Sequence, residues 1–261
     1  MSSPIRFSKT GSGVGKVILL HGFPMHQHVW DEFKKPLSET FTVYTPDLPG
    51  FGKSAILKDD FSLDDVAAVM EGWVKEHQLA GSVIVGHSMG GYVALSMVHR
   101  NPALYEGLIL FHSTALPDAE EKKQSRTKVV EFVDQNGVLA FTSNFIEPLF
   151  ADAKHPAIPL VKSITIEASA EAVKAYTKAM RDRSDRTLVL KNFGKPVALI
   201  GGESDKGIPA ESLVQQGELS ATIGVHVLED CAHMGMFEKP ADCQAIILPF
   251  VHKIFDRSAR R

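Results

Sequence analysis

Residues 82–90, SVIVGHSMG, decide the fold of this chain. The apolar run at their start predicts a buried strand, and the G-x-S-x-G pattern that follows predicts a sharp turn into a helix over residues 88–100. Gly86 and Gly90 flank Ser88 because a serine in a strained turn leaves little room for side chains beside it. A helix that begins at Ser88 also presents its positive end to negative charge developing there. The stretch therefore predicts a nucleophilic serine at the top of a sheet.

A nucleophilic serine requires a base that takes its proton and an acid that orients the base. A second apolar strand pattern, residues 196–200, runs into GGESD, which places Asp205 in the loop after the strand. Glu203 is the alternative acid, two residues earlier. Asp205 is favoured because residues 206–209, KGIP, have the composition of a turn that opens a helix.

The candidate base is a histidine near the end of the chain. A third apolar pattern, residues 224–228, leads to His233, and a last helix is predicted over residues 240–255. The nucleophile, acid and base then follow one another as Ser88, Asp205 and His233, which is the chain order found where a strand–turn–helix serine is catalytic. We predict that these three side chains are the catalytic residues.

When a nucleophilic serine attacks a carbonyl group, the tetrahedral intermediate carries an oxyanion. This oxyanion needs hydrogen-bond donors. The backbone N–H of Met89 is one candidate, because it lies at the start of the helix that follows the serine. The second candidate is the backbone N–H of Phe23, in the loop HGFP (residues 21–24) that follows an apolar run at residues 17–20. Both donors belong to the backbone, so the two side chains are free to line a pocket.

Apolar strand patterns alternate with helical patterns along most of the chain. This alternation predicts βαβ units and an α/β fold, with a mostly parallel, twisted sheet flanked by helices. The predicted strands are residues 16–20, 41–45, 82–86, 107–112, 196–200 and 224–228. The predicted helices that alternate with them are residues 27–38, 63–79, 88–100 and 240–255.

The alternation stops in the middle of the chain, where the sequence predicts helices alone. These helices are residues 119–135, 137–150, 158–167 and 170–181, with breaks at Asn-Gly and proline positions. We therefore predict an α/β core made of residues 1–114 and 191–261, with a helical cap, residues 115–190, inserted in it.

The predicted cap carries an apolar cluster near residues 141–150. Such a cluster forms the cap's own core, roofs the active site, or does both. Phe145 and Phe150 are the predicted substrate-binding residues of the cluster, and Met234 is a third candidate because methionine adapts to irregular ligands. The sequence assigns no Lys or Arg to the pocket. If the substrate were a dicarboxylate, the candidates for binding it would be Arg181, Arg183 and Arg186.

Three other patterns suggest different chemistry and are weaker. Cys231 lies close to His233 but lacks a strand–turn–helix setting for a nucleophile. Residues 50–54, GFGKS, resemble a phosphate-binding loop, but the glycine that such a loop needs earlier is Asp47. A cluster of histidines at positions 21, 26 and 28 has no acidic or cysteine ligand in its pattern, so we predict no metal site and no cofactor.

Composition limits the class of protein. The chain has 261 residues, enough for one large domain or a domain with an insertion, and 44% hydrophobic residues, which is ordinary for a soluble globular protein. The net charge of −3 and the absence of basic runs argue against nucleic acid and anionic membranes. With only two cysteines and no apolar run of about 20 residues, we expect reduced thiols, no membrane span and a cytoplasmic location.

Five segments together resemble the α/β-hydrolase superfamily. They are HGFP (21–24), DLPGFGKS (47–54), GHSMGG (86–91), GESD (202–205) and His233 followed by EKP (238–240). The resemblance is to the cap-bearing branch of serine esterases, enol-lactonases and cofactor-free haloperoxidase-like enzymes. It covers nearly all of the chain outside residues 115–190.

This resemblance implies a serine hydrolase that cleaves a small carboxylic ester or lactone through an acyl-serine intermediate. Alternatives on the same three residues are a cofactor-free haloperoxidase or perhydrolase, a thioesterase and a carbon–carbon bond hydrolase. A non-catalytic ligand-binding protein is a further alternative, because a fold does not fix a function. The expected partner is a small-molecule ester or lactone, and a homodimer remains open.

Overall fold

The structure, a computed structural model, describes residues 5–57 and 60–258. Residues 1–4, 58–59 and 259–261, which the domain prediction assigns to the α/β core, lie outside the described residues. Within the described residues the chain forms one seven-stranded sheet. Its strands are β1 (Phe7–Thr10), β2 (Lys16–Leu20), β3 (Thr42–Pro46), β4 (Ser82–His87), β5 (Tyr105–Phe111), β6 (Val197–Gly202) and β7 (Ile223–Leu228).

The strand order is β1-β3-β2-β4-β5-β6-β7. β1 pairs with β3 in the antiparallel sense, and the other neighbouring strands pair in parallel. The predicted α/β class with a mostly parallel sheet is therefore confirmed. The sequence did not predict β1, because its residues FSKT carry no apolar run and it lies at the edge of the sheet.

Both faces of the sheet are buried. On β2, Ile18 and Leu20 pack into one apolar cluster, while Val17 and Leu19 pack into a second cluster on the opposite face. A strand that is covered on both faces has apolar residues at successive positions. The central strands could therefore be predicted from the sequence. Burying each such side chain contributes roughly 1.5–3 kcal/mol to folding.

Helices cover the two faces of the sheet. In the described part of the chain the α-helices are α1 (Lys34–Ser38), α2 (Leu63–Glu76), α3 (Met89–Arg100), α4 (Glu120–Phe145), α5 (Ile158–Thr165), α6 (Ala170–Arg181), α7 (Thr187–Asn192), α8 (Ala210–Gly217), α9 (Gly235–Glu238) and α10 (Pro240–Ser258). Four of them, α4 to α7, lie between β5 and β6 and are called the helical insertion below. No helix among the described residues combines the length and apolar character needed to cross a bilayer.

One helix prediction differs from the structure. The helix predicted over residues 27–38 is a 3-10 turn, Gln27–Trp30, followed by the short α1. The bend between them lets Trp30 and Phe33 stack on Phe111 of β5, with ring centroids 6.2 and 5.8 Å away. The predicted break at residues 136–137 is confirmed, because Gly137 within α4 has φ of +80° and interrupts the helical backbone. The sequence did not predict α7.

The order of the strands brings two loops together. β2 and β4 are neighbours, but the chain leaves β2 toward β3 on one side and leaves β4 toward β5 on the other. In an open α/β sheet, the crevice beyond the carboxyl ends of the strands at such a reversal is where ligands bind. The loop after β2 contains Phe23, and the turn after β4 contains Ser88.

Glycines at two positions should respond to substitution in opposite directions. A Cβ on Gly86, at the end of β4, would lie 2.4 Å from the backbone oxygen of Gly90, whereas a Cβ on Gly72 in α2 meets nothing within 4 Å. We expect Gly86→Ala to lower the free energy of unfolding by more than about 2 kcal/mol, because backbone must move. Gly72→Ala should raise it by roughly 0.5–1 kcal/mol through helix propensity. Urea unfolding measures both, and equal effects would contradict the steric account of this turn.

Candidate active site

The turn between β4 and α3 holds Ser88 in a strained conformation. Ser88 has φ of +51° and ψ of −117°, a region that non-glycine residues rarely adopt. Its N–H donates to the Phe111 carbonyl at 2.9 Å, and its own carbonyl accepts from the Ser113 hydroxyl at 2.8 Å. Strain of this kind persists only where surrounding bonds over-determine the backbone, and it is typical of functional positions.

Asp205 and His233 form a hydrogen-bonded pair. His233 Nδ1 lies 2.7 Å from Asp205 Oδ2, and Asp205 Oδ1 accepts from the N–H groups of Gly207 and Ile208 at 2.8 and 3.0 Å. Burial by itself would raise the pKa of Asp205, but His233 and His112 beside it hold that pKa well below its usual range. Because the carboxylate is ionised, Nδ1 of His233 is the donor and Nε2 is left to accept a proton.

One cavity is lined by all three predicted catalytic residues, Ser88, Asp205 and His233. Among the described residues, no hydrogen bond joins the Ser88 hydroxyl to the His233 imidazole. Nucleophile–base contacts are commonly long in the absence of substrate and shorten when it binds. The arrangement thus places a strained serine, an oriented imidazole and a carboxylate at the wall of one cavity.

The loop that carries His233 is held by Glu238, a residue that the sequence analysis quoted only as part of a motif. One carboxylate oxygen of Glu238 accepts from the N–H groups of Ala232 and Met234, at 3.2 and 2.9 Å. The other accepts from the N–H of Ala151 at 2.7 Å, in the segment after α4. The same carboxylate therefore fixes the histidine loop and ties it to the helical insertion.

Two further histidines surround this pair, and the sequence analysis assigned no role to either. His87 Nε2 lies 2.9 Å from the His233 carbonyl oxygen, and His112 Nδ1 lies 3.4 Å from Asp205 Oδ2. Burial lowers the pKa of both His87 and His112, so both rings are neutral near pH 7. Within the described residues, one group could hold a metal ion, formed by His112, Asp205 and His233 with ligand atoms within 4.8 Å of one another.

Buried polar groups fix the loop after β2. His21 Nε2 accepts from the N–H of Leu48 at 2.9 Å, and burial lowers the pKa of His21 to about 4. The buried Asp47 carboxylate accepts from the N–H groups of Gln27 and Lys53, at 2.9 and 3.0 Å. The loop between His21 and Gln27 is therefore anchored to the segment after β3 at both ends.

The two predicted oxyanion donors lie at the start of α3 and in the loop after β2. Met89 is the first residue of α3, where the helix leaves N–H groups without an intrahelical acceptor. The Phe23 N–H has no acceptor among the described residues, and the Phe23 side chain lines the cavity. The binding of an oxyanion by these two N–H groups stays a prediction.

The cavity has a volume of about 190 Å³, below the roughly 300–1,000 Å³ of pockets that take drug-sized ligands. Part of its apolar wall comes from α4 and the turn after it, which provide Val129, Phe141, Phe145 and Leu149. Such a space suits a small ligand with an apolar portion.

Of the three predicted substrate-binding residues, Phe145 lines the cavity, but Phe150 and Met234 do not. The Phe150 ring stacks on His155 at 5.0 Å, because the 3-10 turn Glu147–Leu149 carries it into the second apolar cluster. The Met234 side chain is fully buried in the same cluster. We therefore correct these two predictions.

The structure also adds cavity residues that the sequence analysis missed, above all Lys122 and Arg126 of α4. Their spacing of four places them on one helix face, but nothing in the sequence shows which face of α4 meets the core. Arg181, Arg183 and Arg186 instead line a neighbouring cavity of about 300 Å³. That cavity shares Tyr92 with the first, but Ser88, Asp205 and His233 do not line it.

The weaker patterns have separate structural roles. His26 lies 3.3 Å from Glu167 and His28 lies 2.7 Å from Asp31, so these histidines face different partners. Residues 50–54 wrap the Asp47 carboxylate, with Gly52 so close that a Cβ would lie 2.4 Å from it. Burial raises the pKa of Cys231, which keeps it in the unreactive thiol form.

Sequence comparison identifies relatives along nearly the whole chain. Residues 17–245 match the profile of the alpha/beta hydrolase family. The chain is 27% identical over 251 residues to the dihydrolipoyllysine-residue acetyltransferase component of the acetoin cleaving system of Cupriavidus necator, a match covering 93% of this chain and 65% of that protein. It is 24% identical over 251 residues to the pimeloyl-[acyl-carrier protein] methyl ester esterase of Nitrosospira multiformis, covering 90% of this chain and 93% of the esterase.

Structure comparison gives a similar result. A thermophilic esterase from Thermogutta terrifontis superimposes with a TM-score of 0.90 at 29% sequence identity, covering 96% of this chain and 93% of the esterase. The chain thus spans less than two thirds of the acetyltransferase component and nearly all of the two esterases. The Thermogutta terrifontis esterase therefore has the same fold as this protein.

Acid should destabilise the protein through its buried histidines. The pKa values of His21, His87 and His112 lie below the ordinary value of about 6.5 in the folded chain. Below that pH the unfolded chain binds protons that the folded chain does not, so stability present at neutral pH is lost as pH falls from about 6.5. Each such histidine contributes a slope of up to about 1.4 kcal/mol per pH unit.

Urea unfolding between pH 7 and pH 5 measures this slope. We expect His21→Gln to reduce it by roughly 1 kcal/mol per pH unit, since the pKa of His21 lies at about 4. His99→Gln, at an exposed position of α3, serves as the matched control and should leave the slope unchanged. If the free energy of unfolding of the wild-type protein does not fall from pH 7 to pH 5, the buried histidines are not held neutral in the folded chain.

Proposed function

Because this chain belongs to the alpha/beta hydrolase family, we propose that it is a serine hydrolase that cleaves a small carboxylic ester or lactone through an acyl-serine intermediate. The observation that carries the proposal is the 2.7 Å hydrogen bond between His233 and the buried Asp205, at the wall of the cavity that Ser88 also lines. The two esterase relatives, at 24% and 29% identity, support an ester as the substrate.

In the first half of the reaction, the Ser88 oxygen attacks the ester carbonyl carbon while His233 Nε2 takes the hydroxyl proton. Asp205 keeps Nδ1 protonated and stabilises the imidazolium that forms. The tetrahedral intermediate then collapses, the carbon–oxygen bond to the alcohol breaks, and the alcohol leaves with the proton from His233. The acyl group remains on Ser88.

In the second half, His233 takes a proton from water, which attacks the acyl carbon. The second tetrahedral intermediate releases the carboxylic acid, and the Ser88 oxygen regains its proton from His233. For a lactone the alcohol and acid are parts of one molecule. Every step uses protein groups and water, so the proposal requires no metal and no organic cofactor.

The oxyanion of each intermediate would be bound by the backbone N–H groups of Phe23 and Met89. Support comes from the anchored loop after β2, which Asp47 and His21 hold in place before any substrate arrives. Pre-positioned donors stabilise the transition state because they need no reorganisation during the reaction. One such donor contributes about 3–4 kcal/mol to lowering the barrier.

The substrate portion next to the carbonyl is proposed to be small and partly apolar. The volume of about 190 Å³ accommodates a short acyl chain or a small ring. Phe141 and Phe145 stack on each other with centroids 5.0 Å apart, and Phe145 lies edge-on to Phe23 at 5.9 Å. Together they form an aromatic wall, against which an apolar acyl portion would pack.

A serine-directed fluorophosphonate should label this protein once, at Ser88, in parallel with loss of esterase activity. Peptide mass spectrometry locates the label, and hydrolysis of p-nitrophenyl esters measures the activity. Ser88→Ala should abolish labelling and lower kcat by at least about four orders of magnitude. Ser220→Ala, at a half-buried position whose hydroxyl pairs only with the Thr222 side chain and N–H among described residues, should change neither. Labelling at another serine would refute the assignment.

The identity of the acid can be tested by a matched pair of variants. Asp205→Asn should lower kcat by roughly three to four orders of magnitude, because an amide no longer fixes the imidazole tautomer. Glu203→Gln, two residues earlier and exposed, should leave kcat within about twofold. Circular dichroism verifies that both variants are folded. A larger loss for Glu203→Gln than for Asp205→Asn would reverse the assignment.

A further inference from the structure

The cavity that Ser88 lines carries an excess of positive charge. Lys122, Arg126 and Lys206 all border it, whereas the only carboxylate among its described lining residues is Asp205. That carboxylate already accepts a hydrogen bond from His233. The neutral reaction proposed above gives no reason for three cations around a space of this size.

Lys122 is half-buried, whereas Lys206 is exposed, and unlike Arg126 it forms no ion pair within the described residues. Its ammonium donates to the Gly207 carbonyl at 3.0 Å, and in the described part of the chain Asp118 and Asp205 act on it only from beyond 4 Å. An ammonium has three donors, so two remain for another acceptor. Burial lowers the pKa of Lys122 from its usual value, which means that the charge is partly desolvated and would be stabilised by an anion.

Arg126 lies one helical turn further along α4, on the same face. It shares the buried Asp118 carboxylate with Arg183, so one negative charge serves two guanidinium groups. Its Nη1 is directed to the Met180 sulfur at 3.6 Å, which is a weak acceptor. The Asp118 pair holds Arg126 in place without cancelling the positive charge at this end of the cavity.

We propose that the substrate carries a carboxylate, and that Lys122, supported by Arg126, binds it while the ester or lactone carbonyl lies at Ser88. The substrate class is therefore a half-ester of a short dicarboxylic acid, or a lactone with a free carboxylate. This inference rests on the proposed function and narrows its substrate. A charge-assisted hydrogen bond in a small, partly dry cavity is short and directional, so it also orients the carbonyl.

The competing explanation is that Lys122 is only a clamp. Its bond to Gly207 joins α4 to the loop that also orients Asp205. A clamp would affect all substrates alike, whereas an anion-binding residue affects anionic substrates selectively. The experiment must therefore compare substrates that differ in charge and not in shape.

Methyl half-esters of succinic, glutaric, adipic and pimelic acids provide the anionic series. Each has a neutral partner of the same shape, the methyl ester in which an isopropyl group replaces the carboxylate. Initial rates from a pH-stat give kcat/KM for every pair, with Ser88→Ala as the background. The variants are Lys122→Met, Lys122→Arg and, as matched control, Lys128→Met at an exposed position of α4.

For the wild-type protein we expect at least one half-ester to exceed its neutral partner in kcat/KM. Lys122→Met should lower that anionic-to-neutral ratio by roughly 10- to 100-fold, the loss expected for one hydrogen bond to a charged group. Lys122→Arg should restore most of the ratio, and Lys128→Met should leave it unchanged.

Two results would overturn the inference while leaving the proposed function intact. One is Ser88-dependent hydrolysis of neutral esters with no preference for any half-ester. The other is an equal loss for both members of a pair in Lys122→Met, which would make Lys122 a clamp. Absence of Ser88-dependent hydrolysis throughout both series would instead remove the proposed function, and this inference with it.

Discussion

The close approach of backbone segments where β4 turns into α3 is the constraint on which the rest of the site depends. Side-chain atoms on Gly86 or Gly90 would overlap backbone oxygens, of Gly90 in one case and of Leu20 in the other. Only with both glycines can α3 begin directly against β2 and β4. That contact holds Ser88 at a positive φ, beside the loop after β2. It also places the N-terminus of α3 at Ser88.

Around this turn, three carboxylates hold loops that have no regular structure of their own. Asp47, Asp205 and Glu238 each accept hydrogen bonds from at least two backbone N–H groups. Backbone donors without partners are costly when buried, so each carboxylate both stabilises its loop and fixes the loop's shape. The candidate oxyanion loop, the acid and the histidine are thus positioned by the same physical means, from three distant parts of the chain.

The helical insertion completes the site from above the sheet. It provides the aromatic wall through Phe145 and the cationic end through Lys122, and Glu238 ties it to the histidine loop at Ala151. The sheet edge therefore determines where the proposed chemistry occurs, while the insertion determines the size and charge of the space next to it. A shared sheet therefore does not fix the substrate.

The sequence by itself determined the α/β class and a short set of candidate residues. Strand, turn and helix signals are local, and they were strong at Ser88. Chain order then selected Asp205 and His233. The structure brings Nδ1 of His233 within 2.7 Å of the Asp205 carboxylate. Only the tertiary structure decided what surrounds them. Phe150 and Met234 turn into the core while Lys122 faces the cavity, because the face that a helix or loop presents is set by packing against partners far away in the chain, and local sequence carries no record of that packing.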